Sequence, residues 1–151
     1  MNKVTIQNEI MFAEVDRLLR DGHEVVIPTK GSSMLPFIVG EKDTVTLKKM
    51  EDVKVGDIIL ALINKKAYVL HRVWEVDGDR IVLMGDGNLR GQETCSRSEV
   101  IGTAIKIAKK GDKVIDCQSP KHLRQARVWR KMLPLRRVIL GVYRRTLLKL
   151  Y

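Results

Sequence analysis

With 151 residues, 44% of them hydrophobic, the chain has apolar surface for one domain with a core but not for two. Its net charge of +10 sits in one place: residues 118–151 carry ten of the 28 Lys and Arg and no Asp or Glu, while the other 18 basic residues balance the 18 acidic ones before them. Cys95 and Cys117, with no further cysteine and no histidine set at metal-ligand spacing, exclude a disulfide scaffold and a zinc site, so no metal or cofactor is expected.

Ile10, Met11, Val15, Leu18 and Leu19 recur at helical spacing, and Gly22 follows where a left-handed cap belongs. This predicts an amphipathic helix over residues 6–21, within an N-terminal unit of residues 1–23. Acidic residues interrupt the segment and no small-residue cleavage site follows it, so it does not read as a signal peptide. From Glu24 the texture changes. "EVVIP", "DTVTL", "DIILAL", "AYVLHRVWEV", "RIVLMG" and "VIGTAIKIA" are short, rich in Val and Ile, and separated by turn signals such as Asp77-Gly78. Six such segments without helices between them predict a mainly β body over residues 24–110, a curled antiparallel sheet or barrel.

Ser119 then offers an N-cap and Pro120 a first helical position, and "KHLRQARVWRKM" sets Leu123, Ala126 and Trp129 on one side. After Pro134, the residues Leu135, Val138, Ile139, Val142, Tyr143 and Leu150 share a broad apolar arc, with Arg137 and Arg144 opposite. Residues 118–151 therefore read as a basic amphipathic helical tail. Its longest apolar run, residues 138–143, falls far short of the roughly 18 to 20 residues that span a bilayer. A cytoplasmic location is expected, with the tail able to hold the chain at the inner face of a membrane.

The stretch "TKGSSMLPF", residues 29–37, sets two hydroxyls between a glycine and a proline. It reads as a turn, or as a nucleophile that needs a base, because a serine hydroxyl must lose its proton as it bonds to carbon. Of the three histidines, His23 lies beside the helix cap, His122 in the tail, and only His71 inside a strand of the body. Asp86 in "MGDGN" most simply caps a turn.

In order and spacing, "GSSMLP" at 31–36, "VKVGDII" at 53–59, "VLHRV" at 69–73, "LMGDGN" at 83–88 and "VIGTAIKI" at 100–107 resemble the catalytic domain of the type I signal peptidases. The same features are similar to the wider superfamily that includes the LexA-type self-cleaving repressors. The resemblance covers residues 24–108. It implies that the serine before the methionine, Ser33 rather than Ser32, is the nucleophile, and that His71 is the general base, as in the archaeal and endoplasmic-reticulum type. A lysine base must lose about three pKa units by burial to work at neutral pH, whereas an imidazole starts near 6.5. The acid behind the histidine falls to Asp86, with Glu93 as the alternative. Gly31, Ser32, Met34 and Pro36 become the oxyanion and substrate-positioning residues, with the Ser33 N–H as an oxyanion donor.

The resemblance implies a serine endopeptidase acting on an extended leader or precursor peptide that pairs with strand edges. Fewer than forty residues precede Ser33 and they contain no Ala-Gly or Cys-Gly pair, so self-cleavage is not expected. Residues 120–151 would meet a peripheral membrane surface or an exporter or maturation partner. Nucleic acid fits less well, because Leu, Val and Ile are interleaved with the charges. The alternative is a non-catalytic peptide-, membrane- or nucleic-acid-binding module on the same fold, in which Ser33 and His71 would stand too far apart to relay a proton.

Overall fold

A computed structural model of the chain describes residues 2–151, with side chains from residue 11 onward. The expected packing of Ile10 lies outside the described side chains. Helix α1, Asn2–Arg20, ends where the sequence places its cap. Gly22 has φ +89°, its N–H donates to the Leu19 carbonyl, and the His23 N–H donates to the Leu18 carbonyl, the paired bonds that close a helix through a left-handed residue. Val15 and Leu19 are buried against the sheet, and a Cβ on Gly102 would approach the Leu19 side chain to 2.8 Å, so this glycine lets the helix sit close.

The body is a mainly antiparallel sheet of eight strands: β1 (Val25–Pro28), β2 (Thr44–Lys48), β3 (Ile58–Ile63), β4 (Ala67–Asp77), β5 (Arg80–Met84), β6 (Glu93–Ser96), β7 (Val100–Ala108) and β8 (Val114–Asp116). Their order is β1-β2-β7-β3-β4-β5-β6, with β8 on β7 and no closure into a barrel among the described residues. Register shifts in the β2–β7, β3–β7 and β4–β5 pairings bend the sheet, as bulges do. The curl puts core on both faces. In β3, Ile58 and Leu60 join one cluster with Val45, Leu47 and Ile107, while Ile59 and Ala61 join another with Val73, Ile81 and Leu83. That two-sided burial is why "IILAL" reads as an unbroken apolar run rather than an alternation. Each such Ile or Leu contributes about 1.5–3 kcal/mol on leaving water.

Two strands were not expected from the sequence, β6 and β8. Both are short, and "ETCS" carries almost no apolar signal. Beyond them lie α2 (Pro120–Lys131), α3 (Arg136–Arg145) and the short α4 (Leu147–Leu150). Ser119 caps α2 by accepting the His122 N–H, with Pro120 in its first turn. The tail packs on the body: Trp129 and Leu140 form a third cluster with Leu35 and Val39, flanked by Ile139 and Tyr143.

The single apolar arc expected for the tail is therefore divided. Ile139 and Tyr143 turn inward with Leu140, whereas Leu135, Val138 and Val142 face outward. The helix is turned this way because Arg136 is buried, donating to the Gly85 and Asn88 carbonyls. No helix among the described residues is long and apolar enough to cross a membrane.

Candidate active site

Residues 29–43 link β1 to β2 and carry Ser33 on an anchored loop. Met34 and Ile38 are buried in the sheet core, and Leu35 and Val39 in the tail core. Buried Asp43 ties the end of the loop down, accepting from the Val39 N–H at 2.7 Å, from Lys109 Nζ at 2.6 Å, and from the Tyr151 hydroxyl. Ser33 itself stays partly exposed. With Met34 and Leu35 buried on either side of the turn, packing fixes the position of the Ser33 hydroxyl.

His71 and Arg72 are adjacent on β4, so their side chains leave opposite faces. His71 Nε2 lies 3.1 Å from Ser33 Oγ, and His71 Nδ1 lies 2.6 Å from Glu93 Oε1. Glu93 is the first residue of β6, paired across from Leu83. The three groups form a continuous chain from carboxylate to imidazole to hydroxyl, with His71 buried and Glu93 part-exposed.

The expectation that Asp86 backs His71 is corrected. Its carboxylate is taken by Arg72, with Nη2 at 2.6 Å and Nε at 3.1 and 3.2 Å to the two oxygens. Arg72 also donates to the Gly56 carbonyl and to His122 Nε2, each at 3.0 Å. The Asp86 backbone works too: its N–H meets the Met34 sulfur at 3.4 Å and its carbonyl accepts from Trp129 Nε1 at 2.8 Å. Asp86 is thus a buried strut joining sheet, Ser33 loop and tail.

Its flanking glycines allow that approach. The Gly87 N–H donates to the Ser33 carbonyl at 2.8 Å, and a Cβ would come within 2.4 Å of the Ser33 carbonyl from Gly85 or of the Ser32 carbonyl from Gly87. Gly31, Ser33 and Met34 line a cleft of about 670 Å³, whereas Ser32 and Pro36 lie outside its lining, the Ser32 carbonyl accepting the Leu35 N–H and the Leu35–Pro36 bond being cis. Gly31 has φ +79° and gives its N–H to Glu41. The Ser33 N–H meets no acceptor among the described residues.

The floor and walls of the cleft are Ile27, Pro28, Ile38, Leu60, Tyr68 and Leu70, and Met11 and Phe12 of α1 close one side. Phe12 stacks on Tyr68 with ring centroids 4.5 Å apart. Two strand edges open onto it. β1 ends the strand order on one side, and β4 pairs with β5 only from Arg72 onward, so that Val69 to His71 ladder on the β3 side alone among the described residues.

No family model and no curated protein matches the chain.

Burial pushes the thiols of Cys95 up to about 11 and Cys117 up to about 12, which leaves both protonated and poorly nucleophilic at neutral pH. The sequence reading missed Arg72, His122, Trp129 and Arg136, which brace the site from behind. His122 accepts the Arg72 N–H through Nε2, so its proton sits on Nδ1, and a second proton would set imidazolium against guanidinium. Burial first, and the Arg72 charge second, push its pKa down to about 4, against the smaller opposing pull of Asp86 and Asp116. Because the unfolded chain protonates this histidine near 6.5 and the folded chain only near 4, stability is expected to fall as pH drops through that window. Urea unfolding across the window should show a slope of up to one proton from this group, and His122→Asn should flatten it. An unchanged slope in the variant would mean that His122 is not held neutral.

Proposed function

We propose that this protein is a serine endopeptidase that hydrolyses extended leader or precursor peptides, with Ser33 as nucleophile, His71 as general base and Glu93 as the acid that orients it. The observation that carries this reading is the Glu93–His71–Ser33 hydrogen-bonded chain, 2.6 Å and 3.1 Å long in its two links, at the wall of a largely apolar cleft. The five ordered motifs that resemble type I signal peptidases support it, as does the curled antiparallel sheet. A binding module has no use for a proton relay, and Ser33 and His71 stand within hydrogen-bonding distance.

Each step follows from proton positions. With Nδ1–H donated to Glu93, the Nε2 lone pair of His71 faces the Ser33 hydroxyl. Oγ attacks the scissile carbonyl as its proton passes to Nε2, and Glu93 steadies the imidazolium. The carbonyl oxygen gains negative charge in the tetrahedral intermediate, and the uncommitted Ser33 N–H is the donor nearest in sequence to receive it. His71 then returns the proton to the leaving amine, and a water, deprotonated by the same Nε2, hydrolyses the acyl-enzyme. The substrate enters as a strand, pairing with the edge of β1 or of Val69 to His71.

Digestion of a library of extended peptides, read by mass spectrometry, tests the reading. Wild type is expected to cut and Ser33→Ala to be inert; cleavage by both, or by neither, contradicts it. The aromatic pair in the cleft sets a second expectation. Phe12→Ala removes the stack on Tyr68 at a distance from the reacting atoms, so KM for substrates with a bulky apolar residue there should rise roughly three- to tenfold with kcat nearly unchanged. A kcat loss without a change in KM would place Phe12 in the chemistry instead.

A further inference from the structure

The outward side of the tail has no counterpart in the peptidase reading. Leu135, Val138, Val142, Leu147 and Leu150 are between 57% and 83% exposed. Val138 and Val142, four apart, share one face of α3, opposite buried Arg136 and Leu140, and Leu135 stands in the turn just before it. Arg145 flanks this face, Arg137 and Arg144 are exposed further round the solvent side of the helix, and none of the three pairs with a carboxylate among the described residues. No acidic residue occurs from 118 to 151. The other side of α3 is already used against the body, so this face is free because packing has chosen the opposite one.

We propose that the outer face of α3 and α4 lies on an anionic lipid bilayer, its aliphatic side chains in the acyl boundary and its arginines among the headgroup phosphates. The two halves of the surface select this occupant. A nucleic acid offers phosphates but no apolar phase for five exposed aliphatic side chains. A second copy docked by two-fold symmetry offers the apolar phase but sets arginine against arginine. An anionic bilayer supplies both. The surface is also tied to the cleft: Lys42 Nζ donates to the Tyr151 carbonyl at 3.2 Å and the Tyr151 hydroxyl to Asp43, beside Gly40 and Glu41 of the cleft wall. A chain seated this way would hold its cleft mouth near peptides that emerge at the lipid surface.

Sedimentation with phosphatidylcholine vesicles, with and without phosphatidylglycerol, tests this on the full chain carrying Ser33→Ala. Hydrolysis plays no part in that readout, so its outcome and that of the peptidase reading are independent. Binding is expected to the anionic vesicles and to be weak on the neutral ones. Combined Arg137→Gln, Arg144→Gln and Arg145→Gln should reduce partitioning on the order of a hundredfold, about fivefold for each charge removed. Val138→Ser with Val142→Ser should reduce it at least several-fold on the same vesicles. All five positions are exposed, and thermal unfolding of the variants is expected to match the parent. Equal binding to neutral and anionic vesicles overturns the proposal. So does binding that the valine substitutions leave untouched, the signature of charge alone, or a concentration-dependent dimer that they dissolve.

Discussion

His71→Ala is expected to lower kcat for peptide hydrolysis by about ten-thousandfold, and Glu93→Gln by about a hundred- to ten-thousandfold, with little change in melting temperature for the latter. The base variant leaves Ser33 with no acceptor at 3.1 Å for its proton. In Glu93→Gln the imidazole keeps a neighbour, but the amide bears no charge to steady the imidazolium, and its NH2 end can hold the ring in the tautomer that turns a donor toward Ser33. Glu93 is part-exposed and, among the described residues, its side chain bonds only to His71, so its loss touches the chemistry more than the fold. The pair is measured by steady-state kinetics beside a thermal melt. Full activity in either variant, in a folded protein, contradicts the relay.

Asp86→Asn is expected to act in the opposite way, on the fold first. Removing one carboxylate leaves the Arg72 guanidinium buried without its counter-charge, facing a carbonyl and the neutral His122. Breaking a buried pair of this kind costs about 3–5 kcal/mol. For a domain of this size that corresponds to a drop of roughly 6–20 °C in Tm. The backbone links from Asp86 to Met34 and Trp129 would loosen with it, and the nucleophile loop and tail would lose a shared strut. Well below the lowered Tm, the folded fraction should keep kcat within about tenfold, because Asp86 makes no contact with His71. A normal melt with a thousandfold loss in kcat, alongside an active Glu93→Gln, would return the role of acid to Asp86.

The contrast between these two carboxylates marks how far the sequence carries the reading. The apolar runs of β3, β5 and β7 are visible because two-sided burial demands Val, Ile and Leu in short blocks, while β2 shows through the alternation of a half-buried strand. Ser33 and His71 stand out through their motifs. Glu93 does not, since it opens a four-residue strand in which only Cys95 joins the core, and whose place is set by pairing with β5 rather than by any pattern of its own. Asp86 misleads for a related reason. A carboxylate in a glycine-rich turn near a histidine looks like a partner for it, but the next residue along the strand is Arg72, and the pleat sends the two basic side chains to opposite faces. Which one reaches Asp86 is a fact of tertiary geometry. The tail shows the same limit: periodicity declares α3 amphipathic, while the division of its apolar arc depends on Arg136 finding the Gly85 and Asn88 carbonyls.

A Ser33 hydroxyl activated by His71 should react as a nucleophile. A peptidyl fluorophosphonate, digestion and mass mapping read this directly. One adduct is expected, on Ser33 and not on the neighbouring Ser32, formed at a rate that collapses in His71→Ala. An adduct on Ser32, or labelling of Ser33 that proceeds as fast without His71, would contradict it.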